Sequence, residues 1–307
     1  MVVDFAMFLR RLLTSSLFAW IAISPAMADL KPAAPPAESK PAATDYVRWV
    51  DTETEEGLQT ASVRFTREDG ATVDLVGAVH IADKAYFEDL NRRFKTYDAV
   101  LYELVGGPMP KTEADKASRA KARDSSNLSW LAQLHKTMQR SLALSSQLEE
   151  VDYSGTNFVH ADVTLEQFDK LKTQKQESFL GLMLKAYAVQ AQMEEDGKMA
   201  KQPNLAQLMA ILLRGDSANN LKRVIGEQFD LVEDLITGIE GGDGTVIIGE
   251  RNKVALEVLK QQVAAGKKKL AIFYGAAHLP DMEKRLTEQG WKKVNAEWLT
   301  AWDLGEE

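Results

Sequence analysis

The chain has 307 residues, no cysteine, four histidines and a formal charge of −8 at pH 7. Without Cys there are no disulfides, thiolate metal sites or cysteine nucleophiles, and the acidic balance argues against nucleic acid as a partner. Arg10-Arg11 precede the apolar stretch Leu12 to Ser24, and Pro25-Ala26-Met27-Ala28 supplies small residues for cleavage, so residues 1–28 read as a Sec-type signal peptide cut after Ala28. That predicts a periplasmic or secreted protein. The apolar stretch falls short of the ~20 residues of a spanning helix, and membrane attachment is expected only if the segment stays uncleaved as an anchor. Cleavage removes Arg10, Arg11 and Asp4, taking 37 basic and 45 acidic side chains to 35 and 44, a charge of −9.

Residues 29–44, rich in Pro and Ala, read as a disordered linker. The folded body, 45–307, begins with Tyr46 to Asp51 and Ala61 to Arg67, which alternate in the strand period, and Glu68-Asp69-Gly70 is a hairpin turn into a third strand, Ala71 to Val79. Asp83 is placed to cap a helix in which Tyr86, Leu90 and Phe94 recur every four residues, and the next strand is Ala99 to Tyr102. This βαβ unit puts His80 at the end of one strand and Glu103 at the end of its neighbour.

From about 111 to 240 the composition turns helical, rich in Lys, Glu, Gln, Ala, Leu and Met, and reads as an inserted helical subdomain covering the sheet edge or the crevice. Its exception is the extended segment Phe158 to Val163, leading into the capping box Thr164-x-x-Gln167. Gly241 to Gly244 end the insertion. A helix from Val246 to Ala264, with Ala255, Val258, Leu259 and Gln262 on one face, a strand from Lys269 to Tyr274, a helix started by Pro280 and a last strand from Val294 to Trp302 complete the body. The expected fold is α/β (α+β): a central mixed sheet flanked by helices, with the insertion between its two halves.

Two motifs stand out against this frame. Gly77-Ala78-Val79-His80 and Gly275-Ala276-Ala277-His278 each end an apolar strand-like run, so two of the four histidines share one local frame. Glycine there permits close backbone turning and leaves the His at the strand end, where α/β sheets bind ligands. Neutral imidazoles with a carboxylate can hold a divalent metal with open positions for water and substrate, which makes His80, His278 and Glu103 a candidate ligand set. The same residues could equally line the crevice without a metal. Gly249-Glu250-Arg251-Asn252 opens the late helix, and an Arg there opposes the helix dipole, which suggests a carboxylate partner such as Glu103, Glu250 or a substrate group. His160 and Asp162 could add ligands or a proton shuttle, but read as structural, as do His135, the Met-rich helical positions and Lys267-Lys268-Lys269. No Gly-x-Ser-x-Gly elbow, phosphate loop or dinucleotide fingerprint is present.

Gly77-x-x-His80, the strand Tyr97 to Tyr102 ending in Glu103, Glu250-Arg251-Asn252 and Gly275-x-x-His278 together resemble the TraB/PrgY/GumN family, which includes the Tiki proteins and is related to the erythromycin esterase and ChaN groups. The resemblance implies an α/β fold with a helical insertion and a site built from both His, the Glu and the Arg. Tiki members are metal-dependent proteases using manganese or cobalt, and TraB and PrgY relatives are linked to disabling peptide pheromones. The implied reading is an exported, metal-dependent, peptidase-like hydrolase acting on a peptide or small molecule. In it His80, Glu103 and His278 hold Mn, Co or Zn, Glu250 is the general base and Arg251 anchors a substrate carboxylate or the oxyanion. The alternatives are a metal-free esterase-like hydrolase with His80 as base, and a periplasmic haem- or peptide-binding protein.

Overall fold

The computed structural model describes residues 46–110, 136–175, 179–196, 217–226 and 245–305. The signal peptide, the linker, His135 and the Gly241 to Gly244 break lie outside them. The architecture is the expected α/β one: a seven-stranded mixed sheet with helical segments between its strands.

The antiparallel half starts with β1 (Val47–Asp51), β2 (Glu56–Thr66) and β3 (Thr72–Ala78). One edge of β2 pairs first with β1 and then with β3, while its other edge carries the last strand, β9 (Lys292–Asp303), along most of its length. The β2–β3 turn needs its glycine, because Gly70 has φ +79°.

Four strands form the parallel half, in the order β3, β8 (Lys269–Gly275), β5 (Ala99–Tyr102) and β7 (Phe158–His160). Strands covered on both faces are continuously apolar, as in Leu270 to Tyr274 and Ala99 to Tyr102, all buried. Helix α1 (Lys84–Phe94) packs Tyr86, Phe87, Leu90 and Phe94 into the core. Outside the main sheet, β4 (Ile81–Ala82) pairs with β6 (Ser145–Ser146), which runs into the short helix α2 (Gln147–Glu150). Helices α3 (Leu165–Gln174), α4 (Phe179–Glu195) and α5 (Ser217–Gly226) follow, then α6 (Arg251–Ala264) and α7 (Leu279–Glu288). The capping box forms as read, Thr164 and Gln167 satisfying each other's backbone N–H.

Several local expectations are corrected. The βαβ unit does not join neighbouring strands, because β8 lies between β3 and β5; a strand buried at five successive positions belongs in the middle of the sheet. The insertion is not only a helical cover, since it supplies edge strand β7. It is also tied to the antiparallel half: Arg223 of α5 chelates Glu56, Lys222 reaches Asp83 at 3.2 Å, and a Cβ on Gly226 would lie 2.1 Å from the Trp49 ring. Asp83 occupies the N-cap of α1 but makes no side-chain cap; its carboxylate instead accepts from Lys222 and the Asp303 N–H. The buried face of α6 is Ala255, Leu256, Leu259 and Val263, with Val258 and Gln262 at its margin. Gly77 sits inside β3 rather than at a turn, and its missing side chain admits the Ala61 and Tyr46 carbonyls and Leu279.

Candidate active site

The four parallel strands end along one side of the sheet, and each end delivers a polar side chain. In sheet order these are His80 just after β3, His278 just after β8, Glu103 directly after β5 and Asp162 just after β7. This is the carboxyl-end crevice in which α/β sheets place ligands. After β8 the chain makes a 3₁₀ turn, Ala276–His278, and enters α7 with Pro280 in its first turn, which holds His278 buried over Tyr274, ring centroids 5.1 Å apart.

Arg251 joins the two carboxylates. A π-helical turn, Val246–Glu250, precedes it, with the Ile248 N–H donating to the Thr245 side chain at 3.3 Å and the Glu250 N–H to the Thr245 carbonyl at 3.0 Å. From the start of α6 the guanidinium reaches Asp162 through Nε (2.9 Å) and Nη2 (2.7 Å), and Glu103 Oε1 through Nη2 (2.6 Å). Its Nη1 donates to the Ile247 carbonyl at 3.2 Å and faces His278 Nε2 at 3.4 Å. Burial opposes the charge on Arg251, but hydrogen bonding to Asp162 and the field of both carboxylates outweigh it and raise its pKa. The unfavourable position of a cation in a first helical turn is thus met by two anions from neighbouring strand ends.

Glu103 also accepts the Gly275 N–H on Oε2 at 2.8 Å. Burial alone would raise its pKa, yet His278, Arg251, His80 and that backbone N–H together bring it down to about 2, so it is ionised at neutral pH. His278 is pushed the other way: burial lowers it to about 4, against the pull of Glu103. The neutral ring has a defined tautomer. Asn252 spends its amide nitrogen on the His278 carbonyl (3.0 Å) and Asp281 (2.8 Å), so its oxygen faces His278 Nδ1 at 2.7 Å and takes that proton. The lone pair on Nε2 then lies toward Arg251 and, at 3.6 Å, Glu103 Oε1.

His80 is the exposed member, close enough for its charge to act on both Glu103 and His278. His80 Nδ1 lies 3.2 Å from the Gln147 amide oxygen, and the Gln147 amide nitrogen donates to the Tyr153 hydroxyl at 3.0 Å.

Of the five residues singled out from sequence, His80, Glu103, Arg251 and His278 share the crevice. Glu250 does not join them: its carboxylate pairs with Lys253 (2.7 Å) and Lys175 (3.1 Å), and burial, which opposes ionisation, is outweighed by the two lysines. His160 is held by Leu104, its Nε2 donating to that carbonyl at 2.8 Å, and packs on Tyr102. Asp162, read as structural, is the principal partner of Arg251, while Asn252 and Gln147 had no assigned role. The signal for Asp162 was its place inside the extended segment Phe158 to Val163, on the same alternation as His160. A cavity of about 410 Å³ between α6, α7 and Trp291 contains none of these residues.

In the expected ligand set of His80, Glu103 and His278, two members, Glu103 and His278, are contacted by the Arg251 guanidinium. A cation shared by His278 Nε2 and Glu103 Oε1 would meet the Arg251 guanidinium, which already touches both. Among the described residues no group of three or more His, Asp or Glu is spaced to hold a metal ion. The donor set therefore suits a fixed guanidinium better than a divalent ion, and the committed donors of Arg251 hold Glu103 rather than reaching for a substrate carboxylate. No protein-family model matches the chain, and no curated protein matches it in sequence.

Proposed function

We propose that this chain is a metal-independent hydrolase of a small ester or amide, peptides included, with His80 as general base. The observation that carries the reading is the exposed, amide-oriented imidazole of His80 beside an ionised, doubly anchored Glu103 at the carboxyl end of a parallel sheet. In this reading His80 Nε2 takes a proton from water as the water oxygen attacks the substrate carbonyl carbon. The lone pairs that Glu103 keeps beyond Arg251 and Gly275 orient that water. His80 then returns the proton to the departing alcohol or amine as the C–O or C–N bond breaks. Arg251, locked by Asp162, keeps Glu103 charged and in place, and His278 stays neutral as the packed wall behind it.

The resemblance to the TraB/PrgY/GumN family and its esterase relatives supports hydrolysis, and the guanidinium packed against both His278 and Glu103 favours the metal-free form. Export to the periplasm or beyond rests on the N-terminal sequence; no helix among the described residues is long and apolar enough to cross a membrane.

The test is turnover of a panel of p-nitrophenyl esters and fluorogenic peptides by residues 29–307, with and without EDTA and with added manganese, cobalt or zinc. Turnover that survives EDTA and is lost in His80→Ala supports the reading. Turnover abolished by EDTA and restored by one metal would replace it with the metallopeptidase reading. No turnover, with a Soret band on haem addition that His80→Ala removes, would replace it with a binding protein.

A further inference from the structure

The two histidines of the matched motifs are each gripped by a side-chain amide from a different part of the chain. We propose that Gln147 and Asn252 are positioning residues that hold His80 and His278 in the same tautomer, Nδ1 protonated and Nε2 bearing the lone pair. The proposal builds on the hydrolase reading, in which the basic nitrogen of His80 must be Nε2.

For His278 the assignment follows from acceptors that can only accept. The Asn252 amide nitrogen serves a carbonyl and the Asp281 carboxylate, which itself is fixed by Arg285 at 2.7 Å, so the amide oxygen is left for Nδ1. His80 is held by a larger device. Gln147 opens α2 of the insertion; its backbone N–H donates to the His80 carbonyl at 2.9 Å, and the adjoining residues pair as a two-residue ladder, Ile81 with Ser146 and Ala82 with Ser145. The Gln147 side chain, itself buried, is steadied by Tyr153, whose ring packs 5.1 Å from Tyr102 of β5. The end of β3, the insertion and, through Tyr153, strand β5 thus converge on one imidazole. An amide that only filled space would need none of these attachments. The inserted segment consequently contributes a working part of the site, which its helical composition alone did not suggest.

Long-range ¹H–¹⁵N spectra of imidazole-labelled protein report each ring's tautomer directly, with the four histidines assigned by single substitution. Both His80 and His278 are expected as the Nδ1–H form at pH 7.5. In Gln147→Leu, His80 is expected to move toward the Nε2–H form that free imidazole side chains prefer, with His278 unchanged. Gln147→Glu, which keeps an acceptor for Nδ1, is expected to restore the Nδ1–H form. Where a substrate has been found, kcat/KM should fall about 10–100-fold in Gln147→Leu and recover in Gln147→Glu. A wild-type His80 carrying its proton on Nε2, or one that Gln147→Leu leaves unchanged, overturns the proposal. Because the spectra require no turnover, an absence of hydrolysis would sink the function reading and leave the tautomer result standing.

Discussion

Arg251 and Asp162 face each other through two hydrogen bonds, 2.9 and 2.7 Å long, between residues 89 positions apart, and both side chains are buried. This pair fixes the guanidinium, the guanidinium fixes Glu103, and the insertion is thereby joined to the chain segments on both sides of it. Breaking a buried pair by removing one partner costs ~3–5 kcal/mol. Asp162→Ala should lie near the lower end, about 3 kcal/mol, because Glu103 remains to share the charge; Asp162→Asn should cost less. Urea denaturation with a constant slope would measure both.

The acid limb of stability should have two steps. His278 titrates at about 4 in the fold against an ordinary 6.5, so the unfolded chain binds the extra proton first and stability declines as pH falls from 6.5 toward 4. Glu103 has its pKa lowered from 4.5 to about 2, so its contribution is complete above 4.5 and is lost as pH falls through that range. Both effects have the same sign. Chemical denaturation at successive pH values should show the upper step flattened in His278→Gln and the lower step reduced but still present, because His278 is the first of the groups that lower Glu103 and Arg251 remains.

Glu250→Gln should leave turnover within about threefold of wild type and change stability by no more than ~1 kcal/mol, since the carboxylate it removes serves two lysines at the margin of the crevice. A loss of turnover comparable to that of His80→Ala would return Glu250 to the role of base.

The glycines of the two motifs should respond differently to alanine. A Cβ at Gly77 would stand 3.1 Å from the Ala61 carbonyl oxygen and 3.4 Å from both Leu279 and the Tyr46 carbonyl, so Gly77→Ala should destabilise by about 1–3 kcal/mol through overpacking. At Gly275 the nearest atoms are Glu103 Oε2 at 3.4 Å and a His278 ring carbon at 3.8 Å, ordinary contacts, and Gly275→Ala should fold with little loss. Thermal denaturation of the two variants checks the contrast.

Much of this arrangement could be read from sequence where burial writes a pattern. Strands β5 and β8 are buried on both faces and appear as apolar runs, β3 as one broken by Asp74, and His80, Glu103 and His278 were legible because they follow such runs. Sheet order was not: β8 enters between β3 and β5 by pairing across nearly two hundred residues, and no local pattern encodes that. Asp162 was visible as a polar residue of an extended segment, but its bond to Arg251 was not, because that partner lies 89 positions away in another segment. Glu250 and Arg251 were taken together as site residues, yet adjacent positions on a helix point about 100° apart, so when Arg251 enters the crevice Glu250 faces the lysines. Asn252 and Gln147 carry no signal of their own, since an amide becomes a tautomer clamp only through what it meets in space.

The central claim is that the Arg251 guanidinium, which contacts both His278 and Glu103, takes the place a metal ion would need. Metal content of residues 29–307, measured by mass spectrometry after exposure to manganese, cobalt and zinc beside the His80→Ala/His278→Ala double variant, tests it most directly. The account predicts no stoichiometric metal in either protein. Close to one metal per chain in the wild type, lost in the double variant, would contradict it and require Arg251 to leave the position it holds.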